Sequence, residues 1–163
     1  MIFIVMGVSG SGKTTLGKAV SNTLGWKFYE GDEYHPAENI EKMRTGIPLD
    51  DEDRLPWLLS LSNVIKDAIE KKENIVISCS ALKEAYRKIL KVSDDVKFIY
   101  LKGSYDLIRT RLEQRLVHFF KPEMLKSQFD ALEEPGQAIE IDISKSSEST
   151  IKDILDIINA IRE

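Results

Sequence analysis

Residues 7–14 read Gly7-Val8-Ser9-Gly10-Ser11-Gly12-Lys13-Thr14, a complete G-x-x-x-x-G-K-[ST] phosphate-binding loop. The apolar run Ile2–Met6 before it suits a buried parallel strand. The residues after it set Leu16, Ala19, Val20 and Leu24 on one helical face. Strand, loop and helix in that order are the context in which the motif works. Its glycines let successive main-chain N–H groups curl inward onto phosphate oxygens, and the helix N-terminus adds its positive end. Gly7, Ser9, Gly10, Ser11, Gly12, Lys13, Thr14 and Thr15 therefore form the expected nucleotide site. Lys13 reaches the β- and γ-phosphates, and the Thr14 hydroxyl is a ligand for Mg²⁺.

Outward from the loop, strand-like runs alternate with helix-like ones. Strands are predicted at Ile2–Met6, near Lys27–Tyr29, at Ile75–Ser78, Val96–Leu101 and Ile139–Ile143. Apolar helical stripes run through Trp57, Leu58, Leu61, Val64, Ile65, Ala68 and Ile69, and through Ile151, Ile154, Leu155, Ile158 and Ile161. This alternation predicts an α/β fold, a parallel sheet with helices on both faces. At 163 residues one domain is expected. A net charge of −4 argues against non-specific nucleic-acid binding, so positive charge for an anionic substrate must be gathered locally. The lone Cys79 excludes an internal disulfide and fits a reducing cytoplasm. Neither a signal peptide nor a membrane span is expected.

Two segments break the alternation. Residues 30–54 hold a short helix with Pro36 at its start and Gly46 past its end, then the acidic turn Asp50–Asp53, suited to capping the next helix. Residues 116–137 hold His118, Phe119, Phe120 and Lys121, a short helical pattern, then Pro135-Gly136. These are the expected substrate cap and lid.

Ligands of open parallel sheets bind at the carboxyl ends of the strands. Asp32 follows the second strand and is the best-placed acid, because the third strand ends in Ser78-Cys79 without an aspartate. It is expected to orient and deprotonate an acceptor hydroxyl, to partner Mg²⁺, or both. Lys83 and Arg87, spaced i, i+4, share a helix face that could clamp a carboxylate or phosphate. Arg111 and Arg115 lead into residues 116–137, from where they could cover the γ-phosphate. His35 suits hydrogen bonding to a polyol, and Cys79 reads as a small buried residue.

Together these residues resemble the small, shikimate-kinase-like gluconokinases over nearly the whole chain. The resemblance rests on the phosphate loop, Gly31-Asp32 with His35-Pro36, Asn39-Ile40-Glu41-Lys42-Met43, and Gly46 with Pro48-Leu49. It continues through Asp53-Arg54 with Pro56-Trp57-Leu58, Cys79-Ser80-Ala81-Leu82-Lys83, Tyr86-Arg87 and Leu101-Lys102-Gly103. It closes with His118-Phe119-Phe120, Ser127-Gln128-Phe129, Leu132-Glu133 and Pro135. The resemblance implies ATP-dependent, Mg²⁺-assisted phosphorylation of D-gluconate at its 6-hydroxyl. It also implies a five-stranded sheet of order 2-3-1-4-5, a mobile lid and a homodimer. By position, Asp32 matches the acid at the acceptor hydroxyl, Arg54, Lys83 and Arg87 the sugar-acid region, and Arg111 and Arg115 the lid arginines. Leu116-Val117 departs from the family's usual Lys-Gly pair and would alter the lid hinge.

Another small sugar acid or polyol as acceptor, on the same fold, is the alternative. A nucleotide acceptor would need an aromatic slot, for which only Tyr34, Trp57 and Phe119 are available. A guanine-nucleotide switch is disfavoured, since neither D-x-x-G after a strand nor N-K-x-D is present.

Overall fold

The computed structural model describes residues 1–115 and 122–163. Leu116, Val117, His118, Phe119, Phe120 and Lys121 lie outside the described residues, and with them the expected hinge departure.

Five strands, β1 (Ile2–Met6), β2 (Lys27–Glu30), β3 (Ile75–Ser78), β4 (Val96–Lys102) and β5 (Ile139–Asp142), form one parallel sheet in the order β2-β3-β1-β4-β5. β1 lies at the centre, and all five of its residues are fully buried. Its pleat sends Ile2, Ile4 and Met6 to one core and Phe3 and Val5 to the other. A strand apolar on both faces is what a sheet covered on both sides requires.

Helices α3 (Asp51–Glu70) and α4 (Glu84–Leu90) cover the first face, where Trp57, Leu58, Leu61, Ile65 and Leu90 are buried. Helices α1 (Lys13–Leu24), α5 (Tyr105–Gln114), α6 (Pro122–Ala131) and α7 (Ser147–Arg162) build the second, through Leu16, Val20, Ile108, Leu125, Ile154 and Ile158. The short α2 (Ala37–Arg44) stands apart from the sheet and is tied to α3. Asn39 Nδ2 donates to the Asp53 carbonyl at 2.7 Å, and Lys42 Nζ bonds both Asp53 carboxylate oxygens at 2.9 Å.

The acidic turn caps α3 as expected. Asp50 accepts the Asp53 N–H at 2.8 Å, and Asp53 returns the bond to the Asp50 N–H at 3.0 Å. Strand β2 runs one residue beyond the predicted Tyr29, which places Glu30 inside the sheet, in register with Ser78. Among the described residues no helix is long and apolar enough to cross a membrane.

Candidate active site

Three loops converge at the carboxyl ends of β1, β2 and β3. The loops after β1 and β3 are joined by main chain: Gly7 N–H donates to the Ser80 carbonyl at 3.3 Å and Cys79 N–H to the Val5 carbonyl at 3.0 Å. Within the phosphate loop, Ser11 Oγ and Lys13 Nζ both donate to the Val8 carbonyl, at 2.8 and 2.9 Å. Gly12 caps α1 with φ 96°, left-handed backbone that a side chain would strain.

At the end of β2 the structure supplies a carboxylate that the reading of the loops did not single out. Thr14 Oγ1 donates to Glu30 Oε2, and Ser78 Oγ donates to Glu30 Oε1 at 2.6 Å. Ser78 in turn accepts the Gly31 N–H at 3.3 Å. A β-carbon on Gly31 would fall 2.0 Å from the Ser78 carbonyl oxygen, so only glycine lets the strand ends approach this closely. The available clue was the Glu30-Gly31-Asp32 spacing itself, two acids bracketing a glycine at a strand end.

A cleft brings together Ser9, Lys13, Asp32, His35 and Arg54, with Met124, Ser127 and Gln128 of α6 on its far wall. Asp32 is open to this cleft, yet enough protein surrounds its carboxyl to raise its pKa. Desolvation outweighs the opposing Lys13 cation, and Glu30 adds to the rise. Burial lowers the Lys13 pKa, with Asp32 pulling the other way.

His35 is buried against Trp57, their rings stacked with centroids 4.1 Å apart. Because Asn39 Nδ2 must face the Asp53 carbonyl, its other hydrogen meets His35 Nδ1 at 3.1 Å. His35 Nδ1 is thus the acceptor, and the ring proton sits on Nε2. Burial, with Arg54 nearby, pushes the His35 pKa down to about 4, so the ring is neutral at physiological pH.

Arg54 Nη1 donates to the Tyr86 hydroxyl at 3.0 Å, and Tyr86 donates to Asp51 Oδ1. Lys83 Nζ bonds the same Asp51 oxygen at 2.9 Å. Arg54 and Lys83 both stand over the Tyr86 ring, 5.4 and 5.7 Å from its centroid, and face a recess that adjoins the main cleft. Neither Asp51, read as part of a helix cap, nor Tyr86 is among the expected site residues.

On the other side of the phosphate loop, a cavity of about 420 Å³ is lined by Gly10, Ser11, Gly12, Thr15, Arg111, Arg115 and Lys145. Arg111 reaches the Lys145 carbonyl at 3.4 Å. The Thr14 hydroxyl is engaged by Glu30. One expected site residue is placed differently. Arg87 does not join Lys83 at the recess, because its guanidinium is buried and spends its donors on the carbonyls of Ala81, Leu82 and Glu133 and on the Glu84 carboxylate.

For Mg²⁺ the donor set is hard oxygen: the Thr14 hydroxyl with the Glu30 and Asp32 carboxylates. Among the described residues no group of three or more His, Cys, Asp or Glu side chains could hold a metal ion. Mg²⁺ is ordinarily bound through one or two carboxylates together with substrate phosphates.

Fold, phosphate loop and converging strand ends define a P-loop kinase of the shikimate kinase type, whose family profile matches residues 9–160. The chain is 53% identical over 142 residues to the thermosensitive gluconokinase of Escherichia coli K12, covering 86% of this chain and 75% of that one. It is 41% identical over 162 residues to the thermoresistant gluconokinase of the same organism, covering 96% and 93%. The crystal structure of a gluconokinase from Sinorhizobium meliloti 1021 superposes with a TM-score of 0.88 at 36% identity, over 98% of this chain and 91% of that one. The chain belongs to the gluconokinase family of shikimate-kinase-like proteins.

Proposed function

We propose that the chain transfers the γ-phosphoryl group of ATP to the 6-hydroxyl of D-gluconate, giving 6-phosphogluconate and ADP. The observation that carries this reading is a cleft that holds Lys13 and Asp32 and, through Arg54 on its wall, adjoins a recess where Arg54 and Lys83 stand beside Asp51. A polyol carboxylate fits that polarity: its acid group lies at the cations and its far hydroxyl at Asp32.

Asp32 accepts the proton of the 6-hydroxyl as that oxygen bonds to the γ-phosphorus and the bond to the β–γ bridging oxygen breaks. The raised Asp32 pKa brings the carboxylate closer to the pH of the reaction and makes it a better base. Lys13 and the loop N–H groups hold the β- and γ-phosphates. His35, neutral and protonated at Nε2, donates to a substrate hydroxyl. Arg111 and Arg115, beside the phosphate loop, offset charge that develops on the transferred group. Bound Mg²⁺ neutralises charge on the phosphate oxygens, and Thr14, Glu30 and Asp32 are the residues that would hold it.

This proposal treats the chain as one catalytic domain, with residues 30–54 capping the acceptor, acting in the cytoplasm as a homodimer. Ile40, Ile47, Leu55 and Leu59, exposed on the α2–α3 segment, are the large apolar side chains assigned to the dimer contact in this proposal. The test is ADP release with Mg-ATP and a panel of D-gluconate, shikimate, glycerate, glucose and AMP. Turnover with gluconate alone is expected. Faster turnover with another acceptor would keep the kinase and overturn the substrate.

A further inference from the structure

One polar side chain on the wall of the cleft has no part in the reaction described above. Gln128, half-buried on α6, accepts the Ser9 N–H through its Oε1 at 2.6 Å. A main-chain N–H can be met only by the amide oxygen, so the orientation of this carboxamide is fixed. Its NH₂ is the end left to the cleft, and among the described residues nothing accepts a hydrogen bond from it.

Helix α6 is anchored well enough to make this placement specific. Just past its C-terminus, Glu133 N–H donates to the Leu82 carbonyl at 2.8 Å, and Glu133 Oε1 accepts the Glu84 N–H at 2.8 Å. Arg87 Nη2 donates to the Glu133 carbonyl at 2.8 Å. These three bonds tie the end of α6 to α4 and, through Leu82, to the loop after β3, the loop that also meets Gly7 through Ser80. Gln128 is therefore held against both the phosphate loop and the cleft shared with Lys13 and Asp32.

We propose that Gln128 is a specificity-determining residue, its carboxamide NH₂ donating a hydrogen bond to a chain oxygen of the polyol acceptor beside the point of phosphoryl transfer. The inference rests on the acceptor reading given above. Binding the Ser9 N–H fixes the amide in advance, so little side-chain entropy is lost when the acceptor arrives. An acceptor without oxygens along this wall would leave the NH₂ without an acceptor from the substrate, a discrimination that apolar contact cannot give.

The test compares wild type, Gln128→Met and Gln128→Glu by steady-state kinetics, varying gluconate and ATP separately, with melting temperature alongside. Methionine keeps the length and removes the hydrogen bonds. The gluconate KM should rise about 5- to 10-fold, the worth of one neutral hydrogen bond. The ATP KM should stay within about twofold, near experimental scatter. Glutamate keeps an oxygen for the Ser9 N–H, loses the donors and sets a negative charge against an acidic substrate, so the gluconate KM should rise further than in Gln128→Met.

An unchanged gluconate KM in both variants would overturn the proposal. So would gluconate and ATP constants that rise together, which would make Gln128 a support of the phosphate loop. If wild type turns over a different acceptor from the panel, the functional reading fails separately, and the same comparison is made with that acceptor.

Discussion

Replacing Arg87 separates two roles that one sequence pattern allows. Spacing pairs Arg87 with Lys83 as a clamp for an anionic substrate, whereas the structure spends the guanidinium inside the protein. Its five N–H donors make five hydrogen bonds. Nη1 serves the Ala81 and Leu82 carbonyls at 2.8 and 3.1 Å, and Nη2 the Glu133 carbonyl at 2.8 Å and the Glu84 carboxylate at 3.1 Å. Nε serves Glu84 at 3.3 Å.

In Arg87→Met the three carbonyls fare differently. Ala81 is fully buried, so its carbonyl is left unsatisfied, at about 1–3 kcal/mol. Leu82 keeps the Glu133 N–H as a partner, and the Glu133 carbonyl, on an exposed residue, can turn to water; together they add about 1 kcal/mol. The Glu84 side chain is 57% exposed, so losing its ion pair costs little. The sum is about 3 kcal/mol. For a chain of this length that lowers the melting temperature by about 6–12 °C.

The assay is thermal unfolding by circular dichroism, paired with gluconate kinetics at 25 °C. Arg87→Lys should recover less than half of the loss, because a compact ammonium cannot reach acceptors arranged around a planar fork. A melting temperature unchanged within about 2 °C, together with a gluconate KM raised about 100-fold, would refute the reasoning. That pattern belongs to a lost charge-assisted contact with substrate, about 3 kcal/mol.

Three other outcomes follow from the site. Asp32→Asn should cut kcat by about 10²- to 10⁴-fold while ATP affinity by calorimetry holds, since the phosphate loop is untouched; undiminished turnover would remove Asp32 from the mechanism. Glu30→Gln should raise the Mg²⁺ concentration needed for half-maximal rate, because one charge is lost beside Thr14; an unchanged Mg²⁺ titration would make Glu30 a structural partner of Ser78 alone. His35 carries a pKa lowered from 6.5 to about 4, so between those values the unfolded chain binds the proton and the native site does not. Stability should therefore fall as pH drops through that window, and His35→Gln should flatten this part of the denaturation curve.

The fold was legible because its signals are local. The loop at 7–14 fixes where β1 ends and α1 begins, runs rich in Ile, Val, Phe and Tyr mark the five strands to within one residue at each end, and 3.6-period apolar stripes mark α3 and α7. The acidic turn before α3 also follows from position along the chain, since Asp50 and Asp53 lie three residues apart and exchange bonds across the first turn. What stayed hidden depends on the third dimension. The i, i+4 rule shows that Lys83 and Arg87 lie on one side of a helix, but not whether that side meets solvent, substrate or carbonyls. The backbone settles this. Lys83 precedes α4 as its cap, with extended dihedrals, so it projects toward Asp51 while Arg87 turns inward to Ala81.

Glu30 was hidden for the opposite reason. An acid at the end of an edge strand ordinarily signals solvent, and only the parallel register of β2 with β3 sets it beside Ser78 and across from Thr14. Gly31 permits that register by letting the chain pass the Ser78 carbonyl, so one glycine places two acids. Glu30, before it, serves the Thr14 side of the phosphate loop, and Asp32, after it, faces the acceptor cleft. A residue as small as alanine at position 31 should therefore disturb both functions together, which separate substitutions of the two acids would not.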